Sequence, residues 1–106
     1  MESRRRMMMS AGGGGEKIVN TIRLVYDRMI GNNLMYFLTA DYPVNSEITA
    51  TIWFYDTEAD GEYSNTAVLT QGAYKSLVVI YRFSEITWVD ITPTQDDKYI
   101  YEYSSL

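Results

Sequence analysis

Ile48-Thr49-Ala50-Thr51-Ile52-Trp53-Phe54-Tyr55 alternates without a break. Ile48, Ala50, Ile52 and Phe54 fall on one side; Thr49, Thr51, Trp53 and Tyr55 fall on the other. A period of two belongs to an extended chain with one buried face. β-Branched and aromatic residues dominate the stretch, and they suit a pleated, half-buried surface. The run reads as a strand with Ile52 and Phe54 in the core. Tyr42-Pro43-Val44-Asn45-Ser46 interrupts the pattern before it, because Pro43 cannot donate to a ladder. Asp56-Thr57-Glu58-Ala59-Asp60-Gly61 follows it as a polar loop with an Asp-Gly turn signal.

The same rhythm spreads outward. Residues 17–28 place Ile22, Leu24 and Tyr26 opposite Thr21, Arg23 and Asp27. A helical stripe of Ile18, Ile22, Val25 and Met29 competes, but the Val, Ile, Thr and Tyr content favours a strand. Gly31-Asn32-Asn33 is a turn. Residues 34–42 direct Leu34, Tyr36, Leu38 and Ala40 inward. Residues 63–70 are a less regular strand around Ala67 and Leu69, and Gln71-Gly72 is the next turn. The apolar centre of 73–83 reads as buried on both faces. Residues 86–92 form a strand stopped by Pro93, with Trp88 as a core plug. Thr94–Asp97 is a turn, and Asp96 and Asp97 read as exposed in it. Tyr99, Tyr101 and Tyr103 then share one face of a last strand.

About seven short strands at this spacing, with turn chemistry between them and no β-α-β alternation, indicate an antiparallel sandwich. Met35–Tyr55, Ala67–Tyr81 and Ile86–Tyr103 resemble the hairpin, strand-Gly-strand and closing segments of Ig-like and fibronectin-like modules. The resemblance covers most of residues 17–106. It implies an all-β fold, an Ig-like β-sandwich of about seven strands with an extended N-terminal tail. The disulfide pair of antibody domains is absent, so that type is excluded. Residues 1–16 read as a separate tail and linker, and 17–106 as the domain.

That tail runs Arg4-Arg5-Arg6-Met7-Met8-Met9 and then Gly12–Gly15. The Arg-Arg-Arg-Met-Met-Met leader resembles the N-termini of small virion proteins, head-fibre or decoration components, of tailed phages of gut Bacteroidetes. Arginine suits acidic grooves and methionine adapts to irregular apolar pockets. The resemblance therefore implies an anchor to other virion proteins, with glycines giving reach. An inert tail or an expression scar is the competing reading. The three methionines are too few for the h-region of a signal peptide, about 7–15 residues. Gly12–Gly15 precedes a strand rather than a helix, so it reads as a linker and not a phosphate loop.

Composition narrows the chemistry. The 106 residues contain no Cys and no His. Disulfides, thiolate metal sites, thiol nucleophiles and imidazole catalysis are excluded together. The net charge is −5, and the acidity lies in the body rather than the tail. An acidic body repels nucleic acid, so no nucleic-acid partner is expected. No run of about 18 apolar residues exists for a membrane span, so no membrane role is expected. Ten tyrosines in an aromatic content of 14% suit strands with packed rings and wet hydroxyls.

Three clusters stand out as candidate sites. Asp56, Glu58 and Asp60 with Gly61 resemble the start of a calcium loop, but the twelfth position is Ala67 rather than a glutamate. A solvated turn is the simpler reading, and no cofactor or metal is expected. Tyr99, Tyr101 and Tyr103 either pack on the opposite sheet, form an oligomer interface or offer a glycan platform. Trp53 and Tyr55, on the polar face of their strand, are candidates for ligand contact. Asp96 and Asp97 diverge in a turn and do not make a glycosidase pair. The expected function is a non-enzymatic structural protein of a virion, forming homo-oligomers. The alternative is a cell-surface, adhesin-like module that recognises glycan or protein through exposed aromatics.

Overall fold

A computed structural model describes residues 16–105. The expectations for Arg4–Met9 and Gly12–Gly15 fall on residues outside this range. Seven strands follow in order: β1 (Ile18–Ile30), β2 (Asn33–Ala40), β3 (Ile48–Asp56), β4 (Gly61–Leu69), β5 (Lys75–Tyr81), β6 (Ser84–Pro93) and β7 (Tyr99–Tyr103). They form two sheets, one of four strands in the order β5-β2-β1-β7 and one of three in the order β4-β3-β6. The expected all-β sandwich is present, and residues 17–28 are strand rather than helix.

Ile48, Ala50, Ile52 and Phe54 are buried, as their alternation demands. They meet Ile22, Leu38, Val78 and Ile80 of the four-stranded sheet in one core. Removing a core side chain such as these from water contributes about 1.5–3 kcal/mol. The β1–β2 hairpin closes through Gly31-Asn32, with Ile30 opposite Asn33. Gly31 has φ of 59°, a left-handed value that costs an L side chain about 1–2 kcal/mol. The β3–β4 connection closes by a bond from the Asp60 N–H to the Asp56 carbonyl, 2.8 Å. There Asp60, and not Gly61, takes the left-handed conformation, with φ of 56°.

β1 pairs antiparallel with β2 but parallel with β7. In the constant-type Ig arrangement the last strand sits beside the sixth. Here β1-β2-β5 and β3-β6 are neighbours as in that arrangement, while β4 lies on β3 and β7 lies on β1. Among the described residues β6 therefore has a single strand partner, β3.

Two expectations are corrected here. The stretch around β5 is not buried on both faces: Val78 and Ile80 point into the core, whereas Leu77 is 50% and Val79 38% exposed. β5 lies at the edge of its sheet and has one solvent face. Trp88 is not a core plug either, being 51% exposed. Trp53 pairs with Trp88 and Phe54 pairs with Ile86, which leaves Thr87 as an extra residue in β6. This bulge turns Ile86 inward and Trp88 outward, although simple alternation puts both on one face.

Candidate functional site

The unusual placement of β7 opens a concavity beside it. β6 and β7 each lack a second strand neighbour among the described residues. Between them lies a partly open groove of about 510 Å³. Its walls are Leu24 of β1, Tyr36 of β2, Ile86 to Val89 of β6, Tyr103 of β7 and Ser105. Leu24, Ile86 and Val89 also pack on the core, so the groove is a slot cut into the side of the sandwich, its lining shared between these apolar side chains and the polar groups of Tyr36, Thr87, Tyr103 and Ser105. Burial pushes the hydroxyls of Tyr36 and Tyr103 above their ordinary pKa, with the neighbouring Tyr26 adding to the effect on Tyr36. Both stay protonated at neutral pH, able to donate as well as accept.

The outer face of the three-stranded sheet carries the second feature. Trp53 and Trp88 stack with ring centroids 5.7 Å apart and planes 9° from parallel. Tyr55 is half-buried beside them, opposite Glu62 on β4 and Glu85 on β6. Trp53 and Tyr55 thus lie on the solvent side of β3. Trp88 joins them only because of the bulge at Thr87, so sequence alternation alone did not pick it out. Each tryptophan gives one ring face to the other, which leaves edges and at most one face per ring for a ligand.

Tyr99, Tyr101 and Tyr103 point the other way. Tyr99 is buried, and Tyr101 and Tyr103 are half-buried against the core. The Tyr101 hydroxyl donates to the carboxylate of Asp96 and accepts from the Asn45 N–H at 3.0 Å. Asp96 corrects a further expectation: it is not exposed in a turn but buried, at 7%. Asp96 Oδ1 accepts from the N–H groups of Lys98, at 2.7 Å, and Tyr99, at 3.2 Å. It also accepts from Asn45 Nδ2 at 3.3 Å, while Oδ2 accepts from Ser46 Oγ at 3.3 Å. Desolvation alone raises the pKa of such a carboxyl. The bonds from Tyr101, Lys98, Tyr99 and Asn45 outweigh it and bring the pKa down to about 2. Asp96 is therefore a fixed anion that ties the start of β7 to the β2–β3 corner. A group held ionised in this way is a poor proton donor near neutral pH.

Asp56, Glu58 and Asp60 do not converge. Asp56 Oδ1 accepts the N–H groups of Glu58 and Ala59 at 2.9 and 3.0 Å. Glu58 accepts the Tyr81 hydroxyl at 2.8 Å. The first carboxylate closes the turn and the second reaches across to β5. No cluster of three or more metal-ligating groups occurs among the described residues. Sequence reading also passed over Asn20, which is fully buried. Its side chain donates to the Tyr42 carbonyl at 3.0 Å and accepts the Tyr42 N–H at 3.1 Å. It shares a face with Ile22 and Leu24, and a polar residue at such a position is the signal that was there to read.

Comparison with protein-family models, with curated proteins and with solved structures gave no match.

Proposed function

We propose that this chain is a non-enzymatic structural protein of a large assembly, a decoration or head-fibre component of a phage virion. In this reading the N-terminal segment anchors it and the sandwich projects or contacts neighbouring copies. The observation that carries the reading is how the polar and apolar groups are distributed. Three of the five carboxylates that stood out as chemistry are engaged in the fold: Asp96 in the β7 knot, Asp56 in its turn and Glu58 on Tyr81, while Asp60 and Asp97 are exposed. Beside exposed carboxylates such as Glu62, Glu85 and Asp90, the domain also offers apolar strand surface to solvent. Leu77, Val79 and Val25 form a cross-strand patch with half-buried Phe37 and Met35 on the four-stranded sheet. Contiguous exposed apolar strand surface is a feature of protein interfaces. The arginine-methionine leader adds the resemblance to small virion proteins.

Deleting residues 1–15 tests the reading. The melting temperature of the remaining chain should stay nearly unchanged, while incorporation into the assembly is lost. Full occupancy of the assembly by the truncated chain would rule out the anchor.

A second reading has its own observation, the Trp53–Trp88 stack on an outer sheet face. In it the domain is an adhesin-like module at a cell surface. Binding to a glycan array that vanishes in Trp88→Ala, with the far-ultraviolet spectrum unchanged, would favour it over assembly.

A further inference from the structure

The groove between β6 and β7 has the form of a sheet with one strand missing. β6 runs for ten residues, Ser84–Pro93, and its side away from β3 has no strand partner among the described residues. An unpaired edge of this length is a template for another extended chain. The opposite side of the sandwich is not left so. There Asn65 Nδ2 of β4 donates to the Val79 carbonyl of β5 at 2.6 Å, joining the two edge strands. The free edge of β6 also borders apolar walls, Leu24, Ile86, Val89 and Tyr103. Backbone hydrogen bonds on one side and side-chain pockets beneath are the two components of recognition by strand addition.

We propose that this groove accepts the Arg4–Met9 segment of a second copy of the chain, added as an extended strand along β6. The proposal rests on the assembly reading and names the partner within it. Three observations select this occupant. The first is fit: Ile86 to Val89 span about 13 Å of β6 at roughly 3.3 Å per residue, and three methionines in extended form cover about 10 Å. Methionine is the side chain best able to fill an irregular slot such as this one. The second is charge. Glu85 and Asp90 on β6 and Glu102 on β7 are exposed next to the lining residues. They complement Arg4, Arg5 and Arg6, in a domain whose described part is acidic. The cation nearest along β6 is Arg82, whose guanidinium is placed over the Phe83 ring at 4.4 Å. The third is reach. Fifteen residues precede the described chain, and fully extended they span at most about 50 Å. A donor segment and an acceptor groove on one chain give a heterologous, head-to-tail contact, which closes into a ring or continues as a series.

The test uses the full chain. Its mass is followed by light scattering over a range of concentrations at low salt and near 1 M salt. Mass above a single chain, rising with concentration and falling at high salt, is expected. Two variants separate donor from acceptor. Met7→Ser, Met8→Ser and Met9→Ser together remove the donor side chains. Thr87→Arg places a cation in the groove at an exposed bulge residue, so the core is left in place. Each variant alone should weaken association by about tenfold or more with an unchanged circular dichroism spectrum. Mixed together, they should form a one-to-one dimer and stop there, because one retains a donor and the other an acceptor. A wild-type chain that stays monomeric at every concentration overturns the proposal, as does association that survives either variant. If the methionine changes abolish association while Thr87→Arg does not, the groove is not the acceptor. The assembly reading would outlive that result, since it is judged by incorporation of the chain lacking residues 1–15.

Discussion

Along one side of the sandwich, β4 and β5 are brought together by Asn65 reaching the Val79 carbonyl and by Tyr81 reaching Glu58. Along the other, β6 and β7 part and leave a groove of about 510 Å³. Both sides are made of edge strands, yet among the described residues side chains bridge β4 to β5 and not β6 to β7. On the open side, β7 is tied to the rest at its first residues, through Asp96, Asn45, Ser46 and Tyr101. Strand number therefore does not decide closure. Seven strands suffice for a closed pair of sheets, but β7 lies parallel to β1 instead of extending the sheet of β6. An element removed from one sheet leaves an edge there, and that edge is where the surface can recognise another chain.

Mutations can break this comparison, the largest effect coming from the core under the closed side. Phe54 is buried and its ring lies 6.2 Å from that of Tyr63. Phe54→Ala should cost about 3–5 kcal/mol in a two-state denaturant melt. Ile86→Ala, in the wall of the groove, should cost less, about 1–2 kcal/mol, because its side chain is only half-buried. Equal costs would mean that the groove wall is as tightly packed as the core.

Asp96 comes next, because it holds the start of β7. Asp96→Asn loses the charge on which several donors converge, an expected cost of about 2–3 kcal/mol. The pH dependence has a definite sign. The folded pKa, about 2, lies below the ordinary 3.8. The stabilisation is therefore fully present above the unfolded value and is lost as pH falls from about 4 toward 2. Melting curves of Asp96→Asn should depend less on pH across that window than those of the wild type. If the two curves run parallel through it, Asp96 is not the acid-sensitive tie.

Asn65→Ala removes the stitch on the closed side and should cost about 1 kcal/mol. The more telling readout is hydrogen exchange, which should rise in β4 and β5 and leave β6 unchanged. Trp88→Ala has the smallest expected effect on stability, under about 1 kcal/mol, because the ring is largely exposed. It should still remove the near-ultraviolet signal of the stacked pair with Trp53.

Much of the architecture was legible along the chain. The alternation of Ile48–Tyr55 placed Ile52 and Phe54 in the core, and the turn signals at Gly31, Asp60-Gly61 and Gly72 divided the strands where they divide. Trp88 was misplaced because a bulge adds one residue to β6, and a period-two reading loses its phase across such an insertion. Leu77 and Val79 look buried along the chain because an apolar run in an edge strand has the same pattern as one in a central strand. Local turn chemistry makes Asp96 look exposed, because two of the donors that enclose it lie 51 positions away in Asn45 and 50 in Ser46. The tyrosines of β7 left three uses open, and only the packing of that strand placed them against the core.

Local periodicity and turn chemistry were determined by the sequence alone, since each depends on neighbours within a few positions, and the absence of Cys and His is fixed by composition. Strand type, the inward face of β3 and the exclusion of thiol and imidazole chemistry follow from those short-range facts. The partner of each strand was decided only in three dimensions. Pairing joins residues such as Ile18 and Tyr99, and no short stretch of chain states a preference over that separation. The placement of β7 on β1, the free edge of β6 and the groove beside it are consequences of that long-range choice.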